Sequence, residues 1–296
     1  RGTTSGFIDL DYMISGLKKT ELLLLAARPA MGKSAFALNI ATNVAIKSKI
    51  PVVIFSLEMS KEQCAHRILC SQAMVDSRKF ENGNLEDSDW EKIAFASGEI
   101  SNSAGIFIDD TPGITVGEIR AKCRKLKLEK NIGLVVIDYL QLLNGKGSNE
   151  TERVTYISKK LKQIAKENEM VVIATVQMST EAKKEAQNAN RNQKSYKLYG
   201  TSLKGSSQLD QDAGAIIFLT KKADDPSMFR LINLQIAKQR NFTTYEDLEV
   251  EFHLPTQSFL YRRMVERFNY VKPKKKEAEE VKKDEAKVIV EQQKIL

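Results

Sequence analysis

The chain holds 296 residues, 42% hydrophobic and 28% charged, enough apolar material for one large core or two modest ones and too much for a disordered protein. No apolar run approaches the roughly 18 residues a membrane helix needs. Cys64, Cys70 and Cys123 are odd in number and lack a C-x-x-C spacing, which argues against a disulfide framework or a zinc site and for a reducing cytosol. The chain opens on Arg1 with no signal-peptide pattern and reads as a piece of a longer protein.

Short aliphatic runs alternate with longer periodic segments. The runs are Glu21–Ala27, Pro51–Ser56, Gly105–Asp110, Gly133–Tyr139, Met170–Val176 and Ala213–Thr220. Their continuous apolar character predicts strands buried on both faces, as in a parallel sheet. Helical patterns lie between them. Ser60-Lys-Glu-Gln63 and Thr115-Val-Gly-Glu118 read as capping boxes. Val154, Ile157, Leu161 and Ile164 mark one face of a helix over 151–168. This is the rhythm of a doubly wound α/β domain.

After Thr220 the rhythm changes. Phe229–Ala237, Leu248–Leu254 and Ser258–Arg262 read as strands with a short connection at Lys238–Asp247 and no helix between, a hairpin-type addition to the sheet edge. The domain is expected to cover 1–271. The remainder, 272–296, reads as a charged, disordered or loosely helical tail, since Lys272–Lys287 holds seven lysines and five acidic residues.

The net charge of +8 is unevenly placed. Much of it lies in the polar stretch Glu181–Lys204, where Lys183, Lys184, Arg191, Lys194, Lys197 and Lys204 face two acidic residues. A polar loop of this length is functional or disordered. With Tyr196 and Tyr199 among the lysines it suits a nucleic-acid backbone plus base stacking.

Chemistry gathers at strand ends. Ala27-Arg-Pro-Ala-Met-Gly-Lys-Ser34 joins a strand to a helical pattern and fits a relaxed phosphate-loop motif whose first glycine is Ala27. Residues Ala30, Met31, Gly32, Lys33, Ser34 and Ala35 would cradle the phosphates of ATP, with Lys33 reaching the β- and γ-phosphates and the Ser34 hydroxyl on Mg²⁺. Leu134-Val-Val-Ile-Asp138 ends a strand in a carboxylate that would hold the same ion's shell. Glu58, just past the second strand, reads either as the carboxylate that orients the attacking water or as an early-helix acid. Gln177 reads either as a neutral sensor of the γ-phosphate or as a loop-start amide. Lys238-Gln-Arg240, at the expected hairpin tip, reads either as cations completing a neighbouring subunit's site or as a solvated turn. His66 and His253 read as structural, and Trp90 as packing.

Together these segments resemble the C-terminal RecA-like motor domain of the DnaB family of replicative helicases, over residues 2–262. The resemblance rests on Thr4–Asp11 with Gly16-Leu17, Ala27–Ser34, Phe55-Ser-Leu-Glu-Met59, Val136-Ile-Asp-Tyr-Leu-Gln141, Val176-Gln-Met-Ser179, Gln211-Asp-Ala213 and Ala237-Lys-Gln-Arg-Asn241. It implies a P-loop NTPase core, with Glu58 catalytic, Asp138 and Ser34 on Mg²⁺, and Gln177 sensing phosphate. It also implies a homo-hexameric ring on single-stranded DNA, in which Lys238 and Arg240 act on the next subunit's ATP. DNA contacts are expected from Lys183, Lys184, Arg191, Lys194, Lys204 and Gly205, the last two standing where the family carries an arginine and an acidic residue. Primase and a helicase loader would bind through missing or unassigned regions, at cytoplasmic replication forks. A recombinase-type ATPase, a non-catalytic nucleic-acid clamp and an organellar primase–helicase relative are the rival readings.

Overall fold

In a computed structural model, the structure describes residues 2–184, 197–204, 207–221, 229–239 and 247–261. Nine strands form a single sheet in the order β3-β2-β4-β5-β1-β6-β7-β8-β9. They are β1 Leu22–Ala27, β2 Val52–Ser56, β3 Ile106–Asp109, β4 Leu134–Asp138, β5 Val171–Gln177, β6 Ala215–Lys221, β7 Phe229–Gln239, β8 Asp247–His253 and β9 Ser258–Tyr261. The first six in spatial order are parallel. The last three are antiparallel, with a register shift between Ile216 and Ile217 where β7 joins. Every strand expected from the sequence is present, its ends within two residues.

The period-2 pleat divides the core. Leu23, Leu25 and Ala27 of β1 pack with Phe36, Ile40 and Val44 on one face of the sheet, while Leu22, Leu24 and Ala26 pack with Ile157, Leu161 and Ile164 on the other. These side chains are at most 5% exposed, and burying each Leu, Ile or Val contributes roughly 1.5–3 kcal/mol. The helices supplying them are α2 Lys33–Lys47 and α7 Glu150–Glu167. Helices α3 Lys61–Ala73 and α6 Val116–Lys130 open on the expected capping boxes at Ser60/Gln63 and Thr115/Glu118. Among the helices not read from the sequence are α1 Ile8–Ile14, α4 Ser77–Glu81 and α5 Asp87–Ser101. Helix α5 packs Ile93 and Ala96 with Ala73 and Val75 in a small satellite cluster and leaves Trp90 57% exposed. A last helix, α8, is Ser207–Asp212.

The compact unit holding these elements is Arg1–Arg262. The boundary at 271 and the charged tail lie outside the described residues. One placement is corrected. Lys238 is not at a hairpin tip but inside β7, opposite Ile216, because the β6–β7 ladder continues past its bulge to Gln239.

Candidate active site

Parallel register assembles the site. Ala27 lies opposite Gln177, and Ser56 opposite Asp138. Residues spread from 27 to 177 therefore meet at the carboxyl edge of the sheet, where open α/β folds bind ligands. The backbone N–H of Leu57 donates to the Asp138 carbonyl at 2.8 Å, and Ser56 Oγ donates to the Met59 carbonyl at 2.7 Å. These bonds turn the chain at the end of β2 and leave Glu58 exposed beside the Asp138 strand end.

The loop from β1 to α2 uses two left-handed residues, Ala30 at φ 63° and Gly32 at φ 83°. Gly32 caps α2, a helix of 15 residues with no acid in its first turn. The positive end of that helix is thus uncompensated and faces the loop, an arrangement that favours an anion. A Cβ on Gly32 would come within 2.9 Å of both Phe252 and Phe259, and Arg230 Nη1 donates to the Ala30 carbonyl at 3.1 Å. The antiparallel extension therefore backs the loop. Met31, Gly32, Lys33 and Ser34 are half-buried, Ala30 exposed and Ala35 buried.

Lys33 Nζ donates to the Val176 carbonyl at 3.2 Å and lies 5.1 Å from the Tyr139 ring centroid. Burial pushes its pKa below the usual lysine value, opposed by the charges of Asp138 and Glu58 and reinforced by Lys183. Asp138 is 3% exposed, and the Thr175 hydroxyl donates to its Oδ1. Its other oxygen has no hydrogen bond among the described residues. No cluster of three or more His, Cys, Asp or Glu able to hold a metal occurs among them. One carboxylate and one hydroxyl, Asp138 and Ser34, fit Mg²⁺, which keeps several waters and shares substrate phosphates instead of filling an all-protein cage.

Gln177 ends β5, and the polar stretch that follows is closed at its base like a hairpin stem. Lys204 N–H donates to the Gln177 carbonyl at 2.9 Å and Ser179 N–H to the Ser202 carbonyl at 2.9 Å, with Met178 bridged to Leu203 between them. Buried Met178, Ala182, Leu198 and Leu203 root the stem in the core. Of the cations expected to meet DNA, Lys184 is exposed, Lys183 is half-buried and close enough to act on Lys33, and Lys204 pairs with Glu150 at 3.0 Å. Arg191, Lys194 and Gly205 lie outside the described residues, as does Arg240.

Lys238 is not brought to this edge. It pairs with Asp210 Oδ1 at 3.7 Å and donates to the Asp210 carbonyl. Its strand partner Ile216 lies opposite Leu24, three residues before the Leu219 that faces Ala27. That is about 10 Å down the sheet from the chain's own phosphate loop. The sequence reading missed Thr175, Arg230, Phe252 and Phe259. Thr175 could have been found as the one hydroxyl inside an apolar strand, two residues before Gln177. The phenylalanines carry no local signal, because their role depends on β8 and β9 reaching across to the loop.

The model of the DnaB-like helicase C-terminal domain family matches residues 2–261. The replicative DNA helicase DnaC of Bacillus subtilis is 43% identical over 249 residues, 81% of this chain and 52% of the relative. The replicative DNA helicase DnaB of Geobacillus stearothermophilus is 43% identical over 246 residues, again 81% and 52%. The chain therefore spans about half the length of these relatives. Among solved structures, an isolated ATPase domain superposes with a TM-score of 0.78 at 32% identity, covering 89% of this chain and 92% of that one. A DnaB-like replicative helicase solved in a study of its interactions with primase gives 0.77 at 33%, covering 89% and 62%. The fold is that of these RecA-like ATPase domains, and the chain belongs to the DnaB-like helicase C-terminal domain family.

Proposed function

We propose that the chain is the ATP-hydrolysing motor domain of a replicative DNA helicase, working at subunit interfaces of a homo-hexameric ring that moves on single-stranded DNA. The observation that carries this is the convergence of Lys33, Glu58, Asp138 and Gln177 beneath an uncompensated helix N-terminus. The backbone of Ala30–Ala35 and the Lys33 ammonium bind the triphosphate. Ser34 and Asp138 hold Mg²⁺, which when bound neutralises charge on the β- and γ-phosphates. Glu58 orients and deprotonates water, for which its exposed position beside Asp138 and its action on Lys33 speak. Gln177 reports on the γ-phosphate without adding charge.

Lys238 lies about 10 Å down the sheet from its own phosphate loop, which favours the reading that Lys238 and Arg240 serve a neighbouring subunit. Such fingers are worth about 10³–10⁵ in rate. The strand is held by Lys183, Lys184, Arg191, Lys194, Lys204 and Gly205. Primase and a helicase loader bind through missing or unassigned regions, and the setting is the cytoplasmic replication fork.

Unwinding of a forked duplex, with ATPase measured with and without single-stranded DNA, is the test. ATP-dependent unwinding and DNA-stimulated turnover are expected. Lys33→Ala abolishes turnover, whereas Arg240→Ala retains nucleotide binding by the isolated subunit and loses DNA stimulation. Strand pairing without unwinding would move the assignment to a recombinase, and normal hydrolysis by Arg240→Ala would remove the finger.

A further inference from the structure

One buried amide joins the strand end that senses phosphate to the base of the basic stem. Gln141 follows β4 in the 3₁₀ turn Leu140–Leu142 and is 7% exposed. Its Oε1 accepts from the Gln177 backbone N–H at 3.2 Å, and its Nε2 donates to the Lys204 carbonyl at 3.3 Å. Gln177 and Lys204 are themselves joined by the N–H of Lys204 at 2.9 Å. Three hydrogen bonds thus close a triangle, which only a side chain offering an acceptor and a donor at one tip can complete.

The triangle is braced from behind by α7. Arg153 Nη1 donates to the carbonyls of Gln141 at 3.0 Å and Leu143 at 2.7 Å. Glu150, in the first turn of the same helix, holds the Lys204 ammonium at 3.0 Å. Gln177 therefore cannot move relative to Lys204 without breaking the bond between them and at least one of the two that Gln141 makes.

We infer that Gln141 is a positioning residue that couples the phosphate-sensing end of β5 to the DNA-facing stem, so that nucleotide state and DNA grip change together. This rests on the motor reading above. It goes beyond that reading by naming the side chain that transmits the change. Coupling of this kind is reciprocal, so DNA on the stem must alter the phosphate edge as much as nucleotide alters the stem.

The test uses Gln141→Met, which keeps length and volume without hydrogen bonds, and Gln141→Glu, which keeps the acceptor for Gln177 and loses the donor to Lys204. ATPase of the full chain is measured against ATP concentration with and without oligo(dT). In both variants the DNA stimulation of kcat is expected to fall about tenfold, within the range of ordinary coupling energies, while the KM for ATP and the unstimulated kcat stay within about twofold. A merely structural amide would lower unstimulated rate and stability along with stimulation, and that outcome overturns the proposal. Hydrogen exchange on the unmutated chain gives a second reading that needs no variant to fold. A nonhydrolysable ATP analogue should raise protection of the Ser179 and Lys204 amides, and oligo(dT) should raise protection of the Gln177 amide. Protection confined to each ligand's own side overturns the coupling. If the unmutated chain shows no DNA stimulation, the motor reading falls and this inference with it. If it is stimulated and Gln141→Met is stimulated equally, the Gln141 role alone falls.

Discussion

Gly32→Ala tests whether the phosphate loop is shaped from behind by the antiparallel extension. Two costs can be separated. The backbone at φ 83° penalises any Cβ by about 1–2 kcal/mol. The new methyl would also stand 2.9 Å from Phe252 Cε1 and from Phe259 Cζ. Neither ring can retreat easily, because the two are stacked at 4.4 Å with Phe36 edge-on to Phe259 at 4.9 Å. Overpacking of this kind costs about 1–3 kcal/mol, so the sum is about 2–5 kcal/mol, a large share of ordinary domain stability. Urea unfolding should show a lower midpoint at unchanged slope. ATP at a hundredfold excess over its dissociation constant, which adds about 2.7 kcal/mol to a binding-competent chain, should add nothing to the variant. The decisive comparison is Gly32→Ala in a Phe259→Leu background. Loss of the ring should relieve the steric part alone, making the double variant about 1–2 kcal/mol less destabilised than the sum of the singles. Additivity within about 0.5 kcal/mol would mean the aromatic pair does not set the loop, and the argument would fail.

Two further outcomes follow from the buried charges. Thr175→Val removes the hydroxyl that donates to the Asp138 carboxylate and should destabilise the chain by about 1.5–3 kcal/mol; in an Asp138→Asn background the same change should cost clearly less by chemical denaturation, and equal costs would show that the bond does not matter. Lys33→Met should lose turnover yet be more stable than the unmutated chain near neutral pH, because burial holds the Lys33 pKa below its ordinary 10.5. The folded state then sheds its proton before the unfolded state does, so the unmutated chain gains stability as pH rises through the folded pKa towards 10.5. The advantage of the methionine should shrink over that window in paired unfolding curves, and an advantage independent of pH would contradict the buried-charge account.

The strands β1, β2, β4 and β5 were legible because each is an almost unbroken apolar run followed or ended by a polar residue, and a strand buried on both faces leaves little other pattern open to it; β7 and β8 instead alternate apolar and polar residues, the pattern of an antiparallel edge. The carboxyl ends of the parallel strands then named the site, since Ala27, Asp138 and Gln177 are where β1, β4 and β5 stop. Helix α5 was not legible. It buries Ile93 and Ala96 but exposes Trp90 and Phe95, so its apolar residues trace no single stripe. Lys238 was misplaced for a different reason. Strand length past Ala237 is decided by the continued pairing of β7 with Ile216 and Ala215 beyond a bulge, a long-range fact absent from the local polar sequence. The aromatic backing of Gly32 and the Gln141 triangle are likewise contacts across the chain, which residue type announces only as a buried amide or a ring needing a neighbour.

The position of β1 explains why the phosphate edge can address two distant surfaces. It is hydrogen-bonded to β5 on one side and to β6 on the other. Through β5 the loop residues adjoin Gln177, whose carbonyl holds the base of the stem. On the other flank β6 is paired to β7, the strand that carries Lys238 and leads to Arg240, and β7–β9 return to the loop through Arg230, Phe252 and Phe259. A shift of the loop by a few tenths of an ångström therefore meets stacked rings on one flank and a triangle of hydrogen bonds on the other. Close-packed contacts of that kind move as units instead of deforming locally. If Phe259→Leu and Gln141→Met perturb these two flanks independently, their effects on DNA-stimulated turnover should combine multiplicatively. A double variant no worse than the single ones would instead place both on one route from phosphate to DNA.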